Sequence, residues 1–209
     1  MINRKSFITG VKSISLSKRE IKFLKTYKPW GVILFSRNIK SSKQAKKLTD
    51  HIKLIFKDKQ YPILIDQEGG RVNRLKKIFN ADKFTGEFFG KLYFNDKKKF
   101  NFYYHLFINQ TSNLLKSIGV NINTLPVLDL RLKGSSNIIG DRSFSNNWKT
   151  VSKMGDICID YFHKNKIATV IKHIPGHGLA KVDSHKKTPT VKKELNYLIK
   201  NDFSAFKNK

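Results

Sequence analysis

The sequence of 209 residues holds a single cysteine, Cys158. That excludes a disulfide framework and a zinc site built from cysteines, and it suits a reducing compartment. No stretch approaches the roughly 18 consecutive apolar residues that a bilayer-crossing helix needs, so no membrane partner is expected. Residues 1–16 carry basic side chains, but Lys12 breaks the apolar stretch that a secretory leader needs, and a cytoplasmic protein is expected. Acidic residues are scarce: 15 Asp and Glu stand against 42 Lys and Arg, a formal charge of +27. Arginine is scarce inside that excess, at 7 of the 42, although it is the residue that reads base edges and forks onto phosphate. The lysines run along the whole chain beside abundant Asn, Ile and Phe, a bias that an AT-rich coding sequence produces by itself. The charge therefore reads first as a solvated surface, with a basic nucleic-acid-binding protein held as the alternative. A glycine-rich dinucleotide turn is also missing, because Phe35-Ser36-Arg37-Asn38 follows the first apolar strand.

What is present is enough for a folded core: 39% hydrophobic residues and 12% aromatic. Strand-like and helix-like patterns alternate, which predicts an α/β fold on parallel strands. Ser17-Lys18-Arg19-Glu20 has capping-box spacing and opens a helix ending near Tyr27-Lys28-Pro29. Gly31–Phe35 reads as a strand, 41–57 as a helix, and Pro62–Ile65 as a second strand. Residues 81–99 read as irregular at first. From about Lys98 to Ser117 a helix presents Phe100, Tyr104, Phe107, Ile108, Thr111 and Leu115 at helical spacing, a core stripe. A third strand region runs 119–123 and ends in Pro126-Val127-Leu128-Asp129-Leu130. A helix over 147–164 buries Val151, Met154, Cys158, Ile159 and Phe162, a fourth strand covers 168–171, and a last helix covers 191–206. Four strand–helix units are half of a (β/α)8 TIM barrel. The expectation is thus one domain over 1–209, an α/β barrel of that type truncated to roughly its first four units.

Polar residues gather just after the strands, the end where such barrels build active sites. Asp66, Glu68, Gly69, Gly70, Arg71 and Arg74 follow strand two, Asp129 and Gly140–Phe144 follow strand three, and Lys172 and His173 follow strand four. Three of the six histidines, His173, His177 and His185, fall within 13 residues, several times the density of an even scatter. Each feature has a plainer reading: Asp66 as a helix cap, the twin glycines as tight packing, Arg142 as an ion pair with Asp141, and Asp183-x-His185 as a solvated loop. The chemical reading of that last pair is a carboxylate orienting an imidazole that shuttles a proton near neutral pH. A zinc site from the three histidines and Asp183 is disfavoured by Lys172 beside His173 and by the Pro-Gly turn inside the set.

These segments resemble glycoside hydrolase family 3. The resemblance is carried by Gly31–Asn38, Asp66-Gln67-Glu68-Gly69-Gly70-Arg71-Val72-x-Arg74, Pro126–Leu130, Ile139–Phe144, Lys172-His173-x-Pro175-Gly176-His177-Gly178 and Asp183-Ser184-His185, in order along nearly the whole chain. The nearest branch is the β-N-acetylhexosaminidases of peptidoglycan recycling. The resemblance implies that Asp66, Arg74, Arg142, Lys172 and His173 hold the sugar, with cis peptides around the Lys-His-x-Pro turn. It also implies that His185 is the general acid/base and Asp183 its orienting partner, in a reaction that retains anomeric configuration. No metal and no cofactor are implied. The family's nucleophile is an aspartate in a downstream Thr-Asp-Asp segment, and these 209 residues contain no Asp-Asp pair. The expected function is a β-N-acetylhexosaminidase acting on N-acetylglucosamine in cell-wall fragments, represented by a portion that is inactive alone, with a second polypeptide as a candidate source of the missing half-barrel. A non-catalytic, vestigial sugar-binding protein is the other reading.

Overall fold

The computed structural model describes residues 4–132, 137–182, 187–207 and 209. Its centre is a parallel sheet of five strands: β1 (Lys5–Gly10), β2 (Pro29–Leu34), β3 (Ile63–Ile65), β4 (Ile122–Asn123) and β5 (Ala168–Thr169). The strands lie side by side in chain order, β1-β2-β3-β4-β5, and every pairing is parallel. A doubly wound sheet reverses its order at a switch point, whereas a barrel adds each new strand on the same side. The fold is therefore α/β of the TIM-barrel type.

Helices link the strands: α1 (Lys18–Tyr27), α2 (Ser42–Phe56), α3 (Gly86–Asn95), α4 (Lys97–Ser117) and α5 (Trp148–Lys164), with a short α6 (Leu195–Lys200) near the end. The capping box at α1 forms as its spacing requires, with the Ser17 hydroxyl accepting from Glu20 N and the Glu20 carboxylate accepting from Ser17 N at 2.8 Å. The core lies between sheet and helices. Val32, Leu34, Ile63 and Ile65 meet Ala45, Leu48 and Ile52 of α2, the buried stripe of α4, and Val151, Met154, Cys158 and Phe162 of α5.

Four expectations change. β1 was not anticipated, because KSFITG has only two large apolar residues, Phe7 and Ile8, adjacent rather than alternating, and stays mostly exposed; its partner β2 makes it a strand. The strand count among the described residues is therefore five, against the four expected. α3 replaces much of the irregular stretch, capped by Thr85, whose hydroxyl accepts from Phe88 N at 3.0 Å. Its glycines hide the helix from a propensity reading, yet packing demands them: a Cβ on Gly86 would stand 2.1 Å from Arg142 O, and one on Gly90 1.8 Å from Phe144 O. The last helix breaks after α6, at Asn201-Asp202, before a single 3₁₀ turn over Phe203–Phe206. Asp202 breaks it by turning its side chain into the protein, where only 1% of the residue stays exposed.

Candidate active site

Strand alternation builds the site in two layers. Leu64, Ile122 and Ala168 lie in register across β3, β4 and β5, and two residues further on, just past the ends of β3 and β4, stand Asp66 and Thr124. The pairing continues irregularly beyond β5: Val127 bridges Lys172, and Leu128 N donates to Lys172 O at 2.8 Å. An apolar layer inside the sheet thus gives way to a polar one at the strands' C-terminal ends. There the Lys172 ammonium donates to Asp66 Oδ1 at 3.0 Å and to Thr124 Oγ1 at 3.2 Å, and Thr124 itself donates to Asp66. Arg74 Nη2 reaches the other oxygen of Asp66 at 3.4 Å.

Glu68 joins a second set to the first. Its carboxylate takes two bonds from the Arg142 guanidinium, Nε at 2.8 Å and Nη2 at 2.9 Å, and lies 2.5 Å from the Lys172 ammonium. Arg142 does not pair with its neighbour Asp141, which binds Arg71 at 3.1 Å instead. Arg71 also donates to the carbonyls of Ile138 and Ile139 at 2.9 Å, which anchors the segment carrying Arg142. The twin glycines serve packing: Gly69 has φ of 92° and runs so close to Phe84 O that a Cβ would lie 2.2 Å from it.

His173 is oriented by Asp129, which is fully buried. The Asp129 carboxylate accepts from His173 Nδ1 at 2.5 Å, from His173 N at 3.2 Å and from His177 N at 2.7 Å. The Lys172–His173 and Ile174–Pro175 peptides are cis, as the resemblance implied. With Nδ1 protonated toward Asp129, His173 Nε2 is the accepting nitrogen, and it faces Arg142 Nη2 at 3.4 Å. The His177 ring lies 6.2 Å from that of His173. Asp183 and His185 lie outside the described residues. Among the described residues no group of three His, Cys, Asp or Glu side chains is arranged to hold a metal ion.

The charges in this cluster sustain one another. Burial by itself would raise the Asp66 carboxyl, but Lys172, Thr124 and Arg74 together hold it below the usual range. Burial opposes ionisation of Glu68 as well, and the Arg142 and Lys172 contacts overcome it. Arg142 is raised in turn, its burial outweighed by Glu68 first and then by Asp129 and Asp66. Three carboxylates, Asp66, Glu68 and Asp129, and three cations, Arg74, Arg142 and Lys172, thus line one end of the sheet, with the His173 imidazole beside them. The acceptors and donors match what a polyhydroxylated ligand offers.

A sequence profile of the glycosyl hydrolase family 3 N-terminal domain matches residues 8–209. The chain belongs to this family. Among relatives, the β-hexosaminidase of Hydrogenovibrio crunogenus is 34% identical over 177 residues, covering 84% of this chain and 48% of that protein. The β-hexosaminidase of Alkalilimnicola ehrlichii is 35% identical over 182 residues, covering 86% and 51%. Among solved structures, native NagZ from Neisseria gonorrhoeae superposes with a TM-score of 0.86 at 28% identity, covering 97% of this chain and 58% of that one. The family-3 chain therefore spans about half the length of the curated relatives it matches.

Of the seven site residues read from the sequence, the described structure brings Asp66, Arg74, Arg142, Lys172 and His173 into one cluster. It adds Glu68 and Asp129, which were noted at strand ends but not assigned to the site. Their signal was available: each is an acid set in a conspicuously apolar or glycine-rich segment of a strongly basic chain, Ile65-Asp66-Gln67-Glu68-Gly69 and Val127-Leu128-Asp129-Leu130.

Proposed function

We propose that this family-3 chain carries the sugar-holding half of a retaining β-N-acetylhexosaminidase that releases terminal N-acetylglucosamine from cell-wall fragments, in a cytoplasmic recycling role. The observation that carries the reading is the Asp66 carboxylate, kept ionised by Lys172, Thr124 and Arg74 at the open end of the strands. An ionised carboxylate flanked by cations accepts from vicinal hydroxyls while the cations donate to their oxygens, and a ligand lacking those hydroxyls leaves buried charges unpaired. Arg142 and His173 complete the grip from the other side. A further support is that one relative, NagZ of Neisseria gonorrhoeae, has been solved in complex with N-trifluoroacetyl-D-glucosamine.

In this reading Asp183 orients His185, which protonates the leaving oxygen and later activates water. The attacking carboxylate belongs to the part of the family barrel that these 209 residues do not include. A vestigial sugar-binding protein shares the same grip and the same lack of an Asp-Asp pair. Three measurements separate the outcomes. Residues 1–209 should bind N-acetylglucosamine, and Asp66→Ala should abolish that binding; unchanged binding would refute the site. The chain alone should not hydrolyse an aryl N-acetylglucosaminide, and a polypeptide bearing the family's second half should confer turnover; unaided turnover would refute the split. In the restored enzyme, His185→Ala should impair substrates with poor leaving groups far more than aryl glycosides, because proton donation matters most for a basic leaving oxygen.

A further inference from the structure

The outer face of α4 is the wrong composition for a barrel helix turned to water. Such faces are normally polar, but here Phe102, Tyr103 and Leu106 are 65%, 49% and 56% exposed. Their spacing sets Phe102 and Leu106 opposite the buried Phe100, Tyr104, Ile108 and Leu115, with Tyr103 on the flank beside Phe107. Phe94, 88% exposed, is a further large apolar side chain in the last turn of α3.

The charge on α4 is equally unusual. Lys97, Lys98 and Lys99 fill its first turn; Asp96 at the cap pairs with Lys99 at 3.5 Å, which leaves an excess of positive charge at the end where the helix dipole disfavours cations. No Asp, Glu or Arg occurs anywhere in its 21 residues. One acid at the cap does not balance three lysines, and the exposed apolar face gains nothing from folding in water.

We propose that this face docks on an anionic lipid surface, with Phe102, Tyr103 and Leu106 entering the interfacial region and Lys97–Lys99 meeting lipid phosphates. An amphipathic helix with lysines beside exposed aromatics has the chemistry that headgroups and the upper acyl chains together satisfy. A second copy of the chain would set the same lysines against each other. A nucleic acid offers no recess for a convex face with an aliphatic centre, and α4 has no arginine to grip its phosphates. No helix among the described residues is long and apolar enough to cross a membrane, and surface docking requires none. The packing of α3 on Arg142–Phe144 sets that helix beside the segment that carries Arg142 of the sugar site.

The test is density-gradient flotation of the full chain with phosphatidylcholine vesicles, with and without phosphatidylglycerol, at low ionic strength. Flotation separates vesicle-bound protein from aggregates, which sink. The chain should float only with phosphatidylglycerol present. The F102N/Y103N/L106N variant should lose about tenfold or more of that partitioning with its circular dichroism unchanged, and K97Q/K98Q/K99Q should lose the preference for phosphatidylglycerol. The proposal is overturned if the chain does not float, if the apolar variant floats like the parent, or if the apolar variant instead loses binding to single-stranded RNA or a concentration-dependent dimer.

Discussion

Replacing Glu68 by Gln should destabilise the protein by about 3 kcal/mol, because it leaves two buried cations facing each other. In the native cluster Glu68 is the shared counterion of Arg142 and Lys172, at 2.8 and 2.9 Å from the guanidinium and 2.5 Å from the ammonium. The side chain is 5% exposed, and its partners are 11% and 12% exposed, so little water screens them. Breaking a buried pair by neutralising one member typically costs about 3–5 kcal/mol, and the retained Gln carbonyl, which still accepts one hydrogen bond, sets the lower end. Lys172→Met in the same background removes one of the stranded cations. The double variant should therefore be less destabilised than the sum of the single changes, by about 1–3 kcal/mol. Urea unfolding followed by circular dichroism reads these differences, provided the slope with denaturant is unchanged. A loss below about 1 kcal/mol for Glu68→Gln, or strict additivity of the pair, would refute the shared-counterion reasoning.

The pH dependence should carry two opposite signs. Asp66 and Glu68 are held low, so their contribution is full above the ordinary carboxylate range and is lost as pH falls through their depressed values. Asp202 runs the other way: burial, and then the nearby Asp129 charge, push it up to about 6, so its cost appears as pH rises from about 4 through 6. Asp202→Asn should thus stabilise the protein by about 2 kcal/mol near pH 8 and change little near pH 4, read by thermal unfolding at both pH values; equal effects at the two would contradict it. Gly90→Ala should cost about 3 kcal/mol and weaken sugar binding, since the new Cβ meets Phe144 O at 1.8 Å and displaces the segment that carries Arg142; calorimetry with N-acetylglucosamine checks both. Exchanging several exposed lysines between Lys43 and Lys59 for Gln should leave sugar binding intact and shift stability by no more than about 0.5 kcal/mol per site, whereas loss of binding would return the charge to the functional account.

Much of the architecture is local and was legible in the residues. The α4 stripe of Phe100, Tyr104, Phe107, Ile108, Thr111 and Leu115 is buried as its period requires. The Ser17–Glu20 box caps α1, and the apolar runs before Asp66 and after Gly31 are strands. In each case neighbours within a few positions decide the outcome, so a one-dimensional pattern suffices. The chemistry-bearing positions were legible for a related reason: they follow strands in an order that a parallel barrel must present at one end. What the chain alone did not disclose depends on partners far away in sequence. β1 is a strand because β2 offers it hydrogen bonds, and α3 keeps two glycines because Arg142 and Phe144 press their carbonyls against it. The pairing of Arg142 with Glu68 rather than Asp141 joins residues 74 positions apart, and the Asp129 bond to His173 joins residues 44 apart. An ionic partner is chosen by distance and burial, and both exist only after the sheet has brought the strand ends together.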